Sequence, residues 1–489
     1  MPLQLRPSAL CAALLLISAA TSAQAQDAPL KPSQVAAIDR YVIAEMARER
    51  IPGAEVGIYR KGHAVLEKGY GLANLEWNAT VTPTTSMQSG SVGKQFAATA
   101  VMMLVEQGKV GLDDSIAKYF TDAPASWKPI KVKNLLSHTS GLAEYEDASR
   151  MKPGALFDMR QDFTEDELVK KIETLPIEFK PGDDWNYRNT NYALLGVLIH
   201  KVTGQYYGDY LHNHIFAPLG MISTRIISDR DIIPGRAAGY EIAGGQWKNQ
   251  TWVSPSLNST ADGTLYFNVV DLEKWDRALY GTALISRKSL EMMWTPFVLN
   301  DGKPNASHYG FGWVSDSLNG HRLIQHSGAW QGFTCSISRY IDDQLTVVVL
   351  TNLDAGHSSP AYMSRVLGGL VNAELMPKPN PAIDDHKPEL AAHVLDVLKQ
   401  MLAGKNVGRE FSADAGYTFD ANDAADMRSQ LPAKWEATPL RLIKRTEADG
   451  AVRSVYRIGP KGDTRVMLTE LDANGKLLNL AVKADPDNR

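Results

Sequence analysis

The chain has 489 residues, 44% hydrophobic and 22% charged, with a formal net charge of -4 and a pI near 6.3. This is ordinary globular material, long enough for two or more cores, since domains typically run ~100 to 200 residues. With no basic excess and no Lys/Arg-rich run to neutralise phosphates, nucleic acid is excluded as an expected partner.

In chain order, Arg6, an apolar stretch from Ala9 to Ala20, and the small residues Ala23 and Ala25 predict a secretory signal peptide over residues 1–25. Ser18, Thr21 and Ser22 cut the apolar run short of the ~20 residues a spanning helix needs. The mature chain is therefore expected to be periplasmic or secreted, with no membrane span. Cys11 falls in the leader, so the mature chain keeps Cys335 alone, and neither an internal disulfide nor a cysteine zinc site is expected. Ser33 reads as the cap of a helix carrying Val35, Ile38, Val42 and Met46 at helical spacing, and Pro52-Gly53 closes it. Ala54 to Tyr59 and Ala64 to Leu66 around Lys61-Gly62 read as a hairpin.

Residues 91–300 carry mostly helical pattern, clearest at Glu165 to Leu175 and Tyr192 to Val202. From Gly312 the pattern becomes an antiparallel meander in three runs: Trp313 to Val314, Arg322 to His326 continuing through Phe333 to Tyr340, and Leu345 to Leu350. Its turn residues are Asn319-Gly320 and Asp342-Asp343. Ser358 to Leu375 is helical again, so strands from both ends bracket a helical middle, and one sheet built from both is the expected closure. The prolines at 377, 379 and 381 predict a semi-rigid linker over 377–385, after a domain spanning 26–376. Residues 386–489 read as a small α+β domain, with helices around Ala391 to Leu402 and Ala424 to Leu431, and strands at Val452 to Ile458, Arg465 to Leu468 and Leu477 to Val482.

The chemistry concentrates in three short motifs. Ser91-Val92-Gly93-Lys94 sets a hydroxyl and an ammonium three residues apart, on one helix face. Ser115/Lys118 and Ser149/Lys152 share the spacing and read as surface pairs. Ser91 differs because it follows Ser89-Gly90 and opens an apolar segment from Phe96 to Val105, so Lys94 is carried into a buried helix, where it needs a partner or must lose its charge. Tyr187-Arg188-Asn189 adds a phenol and an amide, and a phenol with a pKa of ~10 is a poor base unless a cation lowers it. Tyr266-Phe267-Asn268 has the same pattern and reads as core packing. His326-Ser327-Gly328 lies on the second meander strand, where Ser327 is placed to bond a substrate carboxylate or carbonyl; His308-Tyr309-Gly310 is a second match to the loose pattern.

Ser-x-x-Lys, then Tyr-x-Asn, then His-x-Gly, in that order, resembles the serine beta-lactamase and penicillin-binding protein superfamily, in its class C beta-lactamase-like branch. Segments such as Leu135 to Leu142, Pro218 to Met221 and Ala261-Asp262-Gly263 extend the resemblance over roughly residues 33–375. It implies an α+β fold, with an antiparallel sheet, flanking helices and a helical subdomain, and a serine hydrolase working through an acyl-enzyme without cofactor or metal. Ser91 is then the nucleophile, with Lys94 and Tyr187 sharing the proton transfers. Asn189 orients Lys94 and the substrate, and the N–H groups of Ser91 and Ala329 form the oxyanion hole. Gly328 gives backbone access beside His326 and Ser327. The expected partner is a small-molecule or peptide substrate, peptidoglycan-derived compounds included. The other reading is a penicillin-binding or peptide-sensing protein that acylates slowly.

Two departures from the family pattern bear on substrate. His326 stands where class C beta-lactamases carry the lysine of Lys-Thr-Gly, which shifts the expectation from beta-lactams toward the D-peptides and esters handled by DD-peptidases, D-aminopeptidases and family VIII-type esterases. Arg188 fills the middle of the second motif; turned inward it reshapes the pocket, and outward it is surface. Trp330 and Phe333 are candidates for either acyl-pocket lining or core. His212-Asn213-His214 reads as a surface turn, not a metal site.

Overall fold

The computed structural model describes residues 29–412, 421–432, 434–448, 450–460 and 464–485. The predicted signal peptide lies outside them. Helix α1 (Pro32–Glu49) starts one residue before Ser33, with Lys31 at the cap position and Pro32 in the first turn, where its missing N–H costs nothing. Strands β1 (Gly53–Arg60) and β2 (His63–Asn74) form the predicted hairpin. Its turn residues, Lys61 at φ 51° and Gly62 at φ 78°, are both left-handed, matching the twist of the strands they join. A short β3 (Ala79–Thr80) extends β2.

Four strands close the sheet: β4 (Val314–Leu318), β5 (His321–Trp330), β6 (Phe333–Tyr340) and β7 (Leu345–Thr351). The predicted middle run is therefore two strands, broken at Gln331 (φ 47°) and Gly332. The order is β3-β2-β1-β7-β6-β5-β4, and β1 pairs antiparallel with β7 from Ala54↔Thr351 to Arg60↔Leu345, so the two ends of this region meet at mid-sheet as expected. Both faces are covered, which is why β7 reads as an unbroken apolar run. Leu345, Val347 and Val349 pack with Ile38, Val42 and Met46 of α1 and with Met363 and Leu367 of the C-terminal helix, whereas Val348 and Leu350 join the larger helical core on the other face.

Between β3 and β4 lie the helices, chief among them α2 (Lys94–Glu106), α3 (Glu165–Ile172), α4 (Asn189–Thr203) and α5 (Val269–Ala278). α3 begins with a Thr164/Glu167 capping box, and α4 ends on Gly204 at φ 71°. α6 (Pro360–Val371) returns across the sheet. Residues 377–387 then carry no regular structure.

The final unit contains α7 (Pro388–Leu402), α8 (Ala421–Gln430) and an antiparallel meander of β8 (Arg441–Ala448), β9 (Ala451–Ile458), β10 (Arg465–Leu471) and β11 (Leu477–Ala484). Val394, Leu398 and Met401 of α7 share a separate core with Tyr456, Met467 and Val482. Contacts that bind this unit to the first include the pair of Arg465 with Glu49 of α1 and the Gln430 amide meeting His357 Nε2 at 2.7 Å. Among the described residues no helix is long and apolar enough to cross a membrane.

Candidate active site

Ser91 lies in a tight 3-10 turn, Gly90–Gly93, that runs straight into α2, and residues Lys94 to Met102 are all buried. This confirms that Lys94 is carried inward with its helix. Its Nζ donates to Ser91 Oγ at 2.9 Å, to Asn189 Oδ1 at 2.7 Å and to the Asp262 carbonyl. Three polar partners take up the bonding capacity of the amine, so the lysine is fixed rather than stranded. Asn189 is held in turn: its Nδ2 donates to Glu146, and its backbone N–H donates to Glu144 Oε2 at 2.6 Å.

The Tyr187 ring lies 4.9 Å from Lys94 Nζ, and its hydroxyl is shut off from solvent with no closed hydrogen bond among the described residues. Burial pushes the phenol above its ordinary pKa; Lys94 pulls it down, and burial wins. Lys94 beside the phenol acts in the direction a base needs but does not offset burial, so Tyr187 stands as a neutral phenol.

Gly90, Gly263 and Gly328 converge on the Ser91 backbone. A Cβ on Gly90, itself at φ 43°, would lie 2.3 Å from the Ala329 nitrogen, and one on Gly328 would lie 2.2 Å from the Ser89 carbonyl and 2.9 Å from the Ser91 nitrogen. This close approach sets the N–H groups of Ser91 and Ala329 beside each other at the nucleophile, the arrangement an oxyanion requires. Ser327 and Ala329 are exposed on β5 between the buried His326 and Gly328, following the period-2 alternation of a strand.

His326 borders the cleft, but both of its nitrogens are engaged. Nδ1 lies 2.6 Å from the Ser327 carbonyl, which only accepts, so Nδ1 carries the proton; Nε2 then accepts from the Tyr309 hydroxyl at 2.9 Å. Burial, reinforced by the Lys94 charge, lowers its pKa from 6.5 to about 4. The histidine that stands where class C beta-lactamases carry a lysine is thus a neutral, structurally bonded ring. Tyr309 comes from the His308-Tyr309-Gly310 match, in which His308 itself is exposed.

Sequence reasoning missed the acidic wall of Glu144, Glu146 and Asp262. Asp262 accepts from the Tyr145 hydroxyl at 2.6 Å and the Thr260 hydroxyl at 2.6 Å. Burial, then repulsion from Asp262 and Glu144, holds Glu146 well above the ordinary carboxyl range, and burial also raises Glu144. The available signal was Glu144-Tyr145-Glu146, two carboxylates immediately after an apolar Gly-Leu-Ala run. His138 was noted only as part of a segment; it is fully buried, stacks on Tyr187 with centroids 4.3 Å apart, and is kept neutral by burial and the Lys94 charge.

The remaining candidates separate cleanly. Arg188 turns to Glu178 at 2.8 Å, away from the cleft lining. Trp330 lines a small pocket with Glu146, Asn189 and Asp262 and donates to Asn258 at 2.7 Å, whereas Phe333 is core. Ser115 caps a short turn and Lys118 pairs with Asp114, Lys152 is exposed, and Tyr266 is buried while Asn268 caps α5, as the motif comparison anticipated. His214 stacks on Tyr210, and no cluster of metal-binding side chains occurs among the described residues. Two spaces meet at Ser91: the small acidic pocket, and a cleft of about 620 Å3 lined by Tyr187, Tyr309, His326, Ser327 and the 358–361 segment.

A serine bonded to a buried lysine, on a helix packed beneath an antiparallel sheet, defines the beta-lactamase-fold serine hydrolases and penicillin-binding proteins. The chain belongs to the beta-lactamase family, whose profile matches residues 38–369. It is 31% identical over 308 residues to penicillin-binding protein 4* of Bacillus subtilis (strain 168), covering 60% of this chain and 66% of that one. Among solved structures, the octameric penicillin-binding protein homologue from Pyrococcus abyssi superposes with a TM-score of 0.62 at 24% identity, over 89% of this chain and 90% of that one. The D-amino acid amidase from Ochrobactrum anthropi SV3 gives 0.57 at 25% identity, over 70% and 97%.

Proposed function

We propose that the protein is an acyl-serine amide hydrolase acting on short peptides and amides of D-amino acids, with esters and beta-lactams as poorer substrates. The observation that carries the hydrolase reading is the 2.9 Å hydrogen bond from Lys94 to Ser91 beside the paired N–H groups of Ser91 and Ala329. The carboxyl groups of Glu146 and Asp262 beside Ser91 offer hydrogen-bond acceptors to an acyl group bearing an amine, and the similarity to a D-amino acid amidase supports the stereochemistry. The neutral His326 counts against a site built to grip the carboxylate of a beta-lactam.

Lys94 occupies one lone pair of Ser91 Oγ, which leaves the serine proton available to the Tyr187 oxygen, a neighbour of both Ser91 and Lys94. As Oγ attacks the carbonyl carbon, the serine proton passes to Tyr187, and the phenol gives up its own proton to the leaving nitrogen. The C–N bond then breaks to leave an ester on Ser91. Lys94 balances the charge developing on Oγ and on the phenol oxygen, and the two N–H groups take the oxyanion. Water reverses the route and releases the acid. The first 25 residues, read as an export signal, make peptidoglycan-derived peptides the proposed natural pool.

The test is intact-mass spectrometry with a fluorophosphonate and with a penicillin, alongside hydrolysis of matched D- and L-amino acid amides. A Ser91 adduct absent in Ser91→Ala, with turnover of the D-amides, supports the proposal. A stable penicillin adduct with no amide turnover replaces it with a slow penicillin-binding protein, and an undiminished adduct in Ser91→Ala removes the nucleophile.

A further inference from the structure

The cleft on the Tyr187 side of Ser91 contains a residue that belongs to neither the motifs nor the matched family region. Lys483, on β11 of the C-terminal sheet, lines it together with Ser91, Tyr187, His326 and Ser327. Its neighbour Val482 is buried in the core of that sheet, so strand alternation turns Lys483 outward, and it is exposed with no bonding partner among the described residues. The strand is held in place from both sides. Arg465, on the adjacent β10, pairs with Glu49 of α1, and Gln430 of α8 bonds His357, within the 355–361 segment that supplies part of the cleft wall.

Among the described residues no Asp or Glu lines this cleft, and the basic groups at it and beneath it are committed. Lys94 spends its donors on Ser91, Asn189 and Asp262, while His326 spends both nitrogens on Tyr309 and Ser327. Among the described residues Lys483 is left as the one uncommitted cation lining the cleft. It lines the same cleft as Tyr187, the proposed proton donor to the departing group, whereas neither residue lines the acidic pocket. We infer that Lys483 receives the free carboxylate of the leaving group, so that the preferred substrate is a short peptide whose C-terminal residue is released. The C-terminal domain thereby supplies the cation that the third motif lacks. This rests on the proposed amide hydrolysis and names its substrate class.

The experiment compares D-alanyl-D-alanine with D-alanyl-D-alaninamide in the full chain, in Lys483→Met and in Lys483→Arg. Wild type is expected to favour the carboxylate in kcat/KM by about fivefold, the scale of a partly solvated ion pair. Lys483→Met should bring the ratio close to one, and Lys483→Arg should keep it. Equal rates in wild type, or a preference that survives in Lys483→Met, overturns the assignment. A second arm needs no turnover: the same two compounds compete with fluorophosphonate labelling of Ser91. If neither is hydrolysed but the carboxylate protects better and only while a cation occupies position 483, the hydrolysis proposal fails and the Lys483 assignment stands. Equal protection in wild type, including none by either compound, overturns Lys483.

Discussion

Replacing His326 by Asn should change how the stability of the protein responds to acid. In the native protein the ring is buried, donates from Nδ1 to Ser327 and accepts at Nε2 from Tyr309, and its pKa falls from 6.5 to about 4. Between these values the unfolded chain binds a proton that the folded chain refuses, so stability falls as pH drops from 6.5 and stops falling on this account near 4. At ~1.36 kcal/mol per pH unit the full loss is roughly 3 kcal/mol. Nothing from this group is lost above pH 7. Carboxylates titrate over the same range, so the assay is a difference: urea unfolding of wild type and of His326→Asn at pH 7 and at pH 4. The variant should be the less stable at neutral pH, and its deficit should shrink by about 3 kcal/mol at pH 4. A deficit unchanged with pH would mean that the ring protonates in the native state, and the neutral-imidazole reading would be wrong.

Tyr187→Phe removes a hydroxyl that has no closed hydrogen bond, so its unfolding midpoint should barely move, while kcat falls about 100- to 10,000-fold; activity within tenfold of wild type rules out the phenol relay. Gly328→Ala pushes a methyl to 2.2 Å from the Ser89 carbonyl, and should slow Ser91 phosphonylation at least ~10-fold and destabilise by about 1–3 kcal/mol. Asp276 accepts from Arg339 Nε at 2.6 Å and Thr346 Oγ1 at 2.8 Å under the sheet, with Arg339 set against Tyr280 and Trp294. Asp276→Ala alone should cost about 3–5 kcal/mol by stranding the guanidinium, and the Asp276→Ala/Arg339→Met pair should recover most of it; additive losses in thermal unfolding would refute the pairing.

How much of this was legible beforehand depended on whether a residue's role was local. Ser91 and Lys94 were readable because an i,i+3 pair entering an apolar helix is a local pattern with one geometric outcome. The closure of one sheet from both ends of the region was readable because β1 and β7 are both apolar runs that need two covered faces; the strand order was not. β8 was missed because it is an edge strand: in Arg441 to Ala448 only Leu442 is fully buried among the side chains described, so the run looks charged rather than alternating. The break at Gln331-Gly332 was missed because Gln331, not a usual turn residue, takes the left-handed position. Tyr309, Glu146 and Asp262 come from three separate segments and converge only in space.

The same distinction explains the protonation states. Lys94 is one buried cation surrounded by three acceptors, and two imidazoles, His138 and His326, lie within reach of its field. A second charge in that volume would have to be desolvated next to the first, so both rings stay neutral; His326 bonds through both nitrogens, and His138 accepts at Nδ1 from the Arg188 N–H. A histidine in the third motif therefore brings no second cation beside Lys94, in keeping with the proposed relay through the Tyr187 phenol. Any charge used to hold an anionic substrate must then come from farther out, where water still screens it from Lys94, and the exposed Lys483 at the rim of the cleft meets that condition.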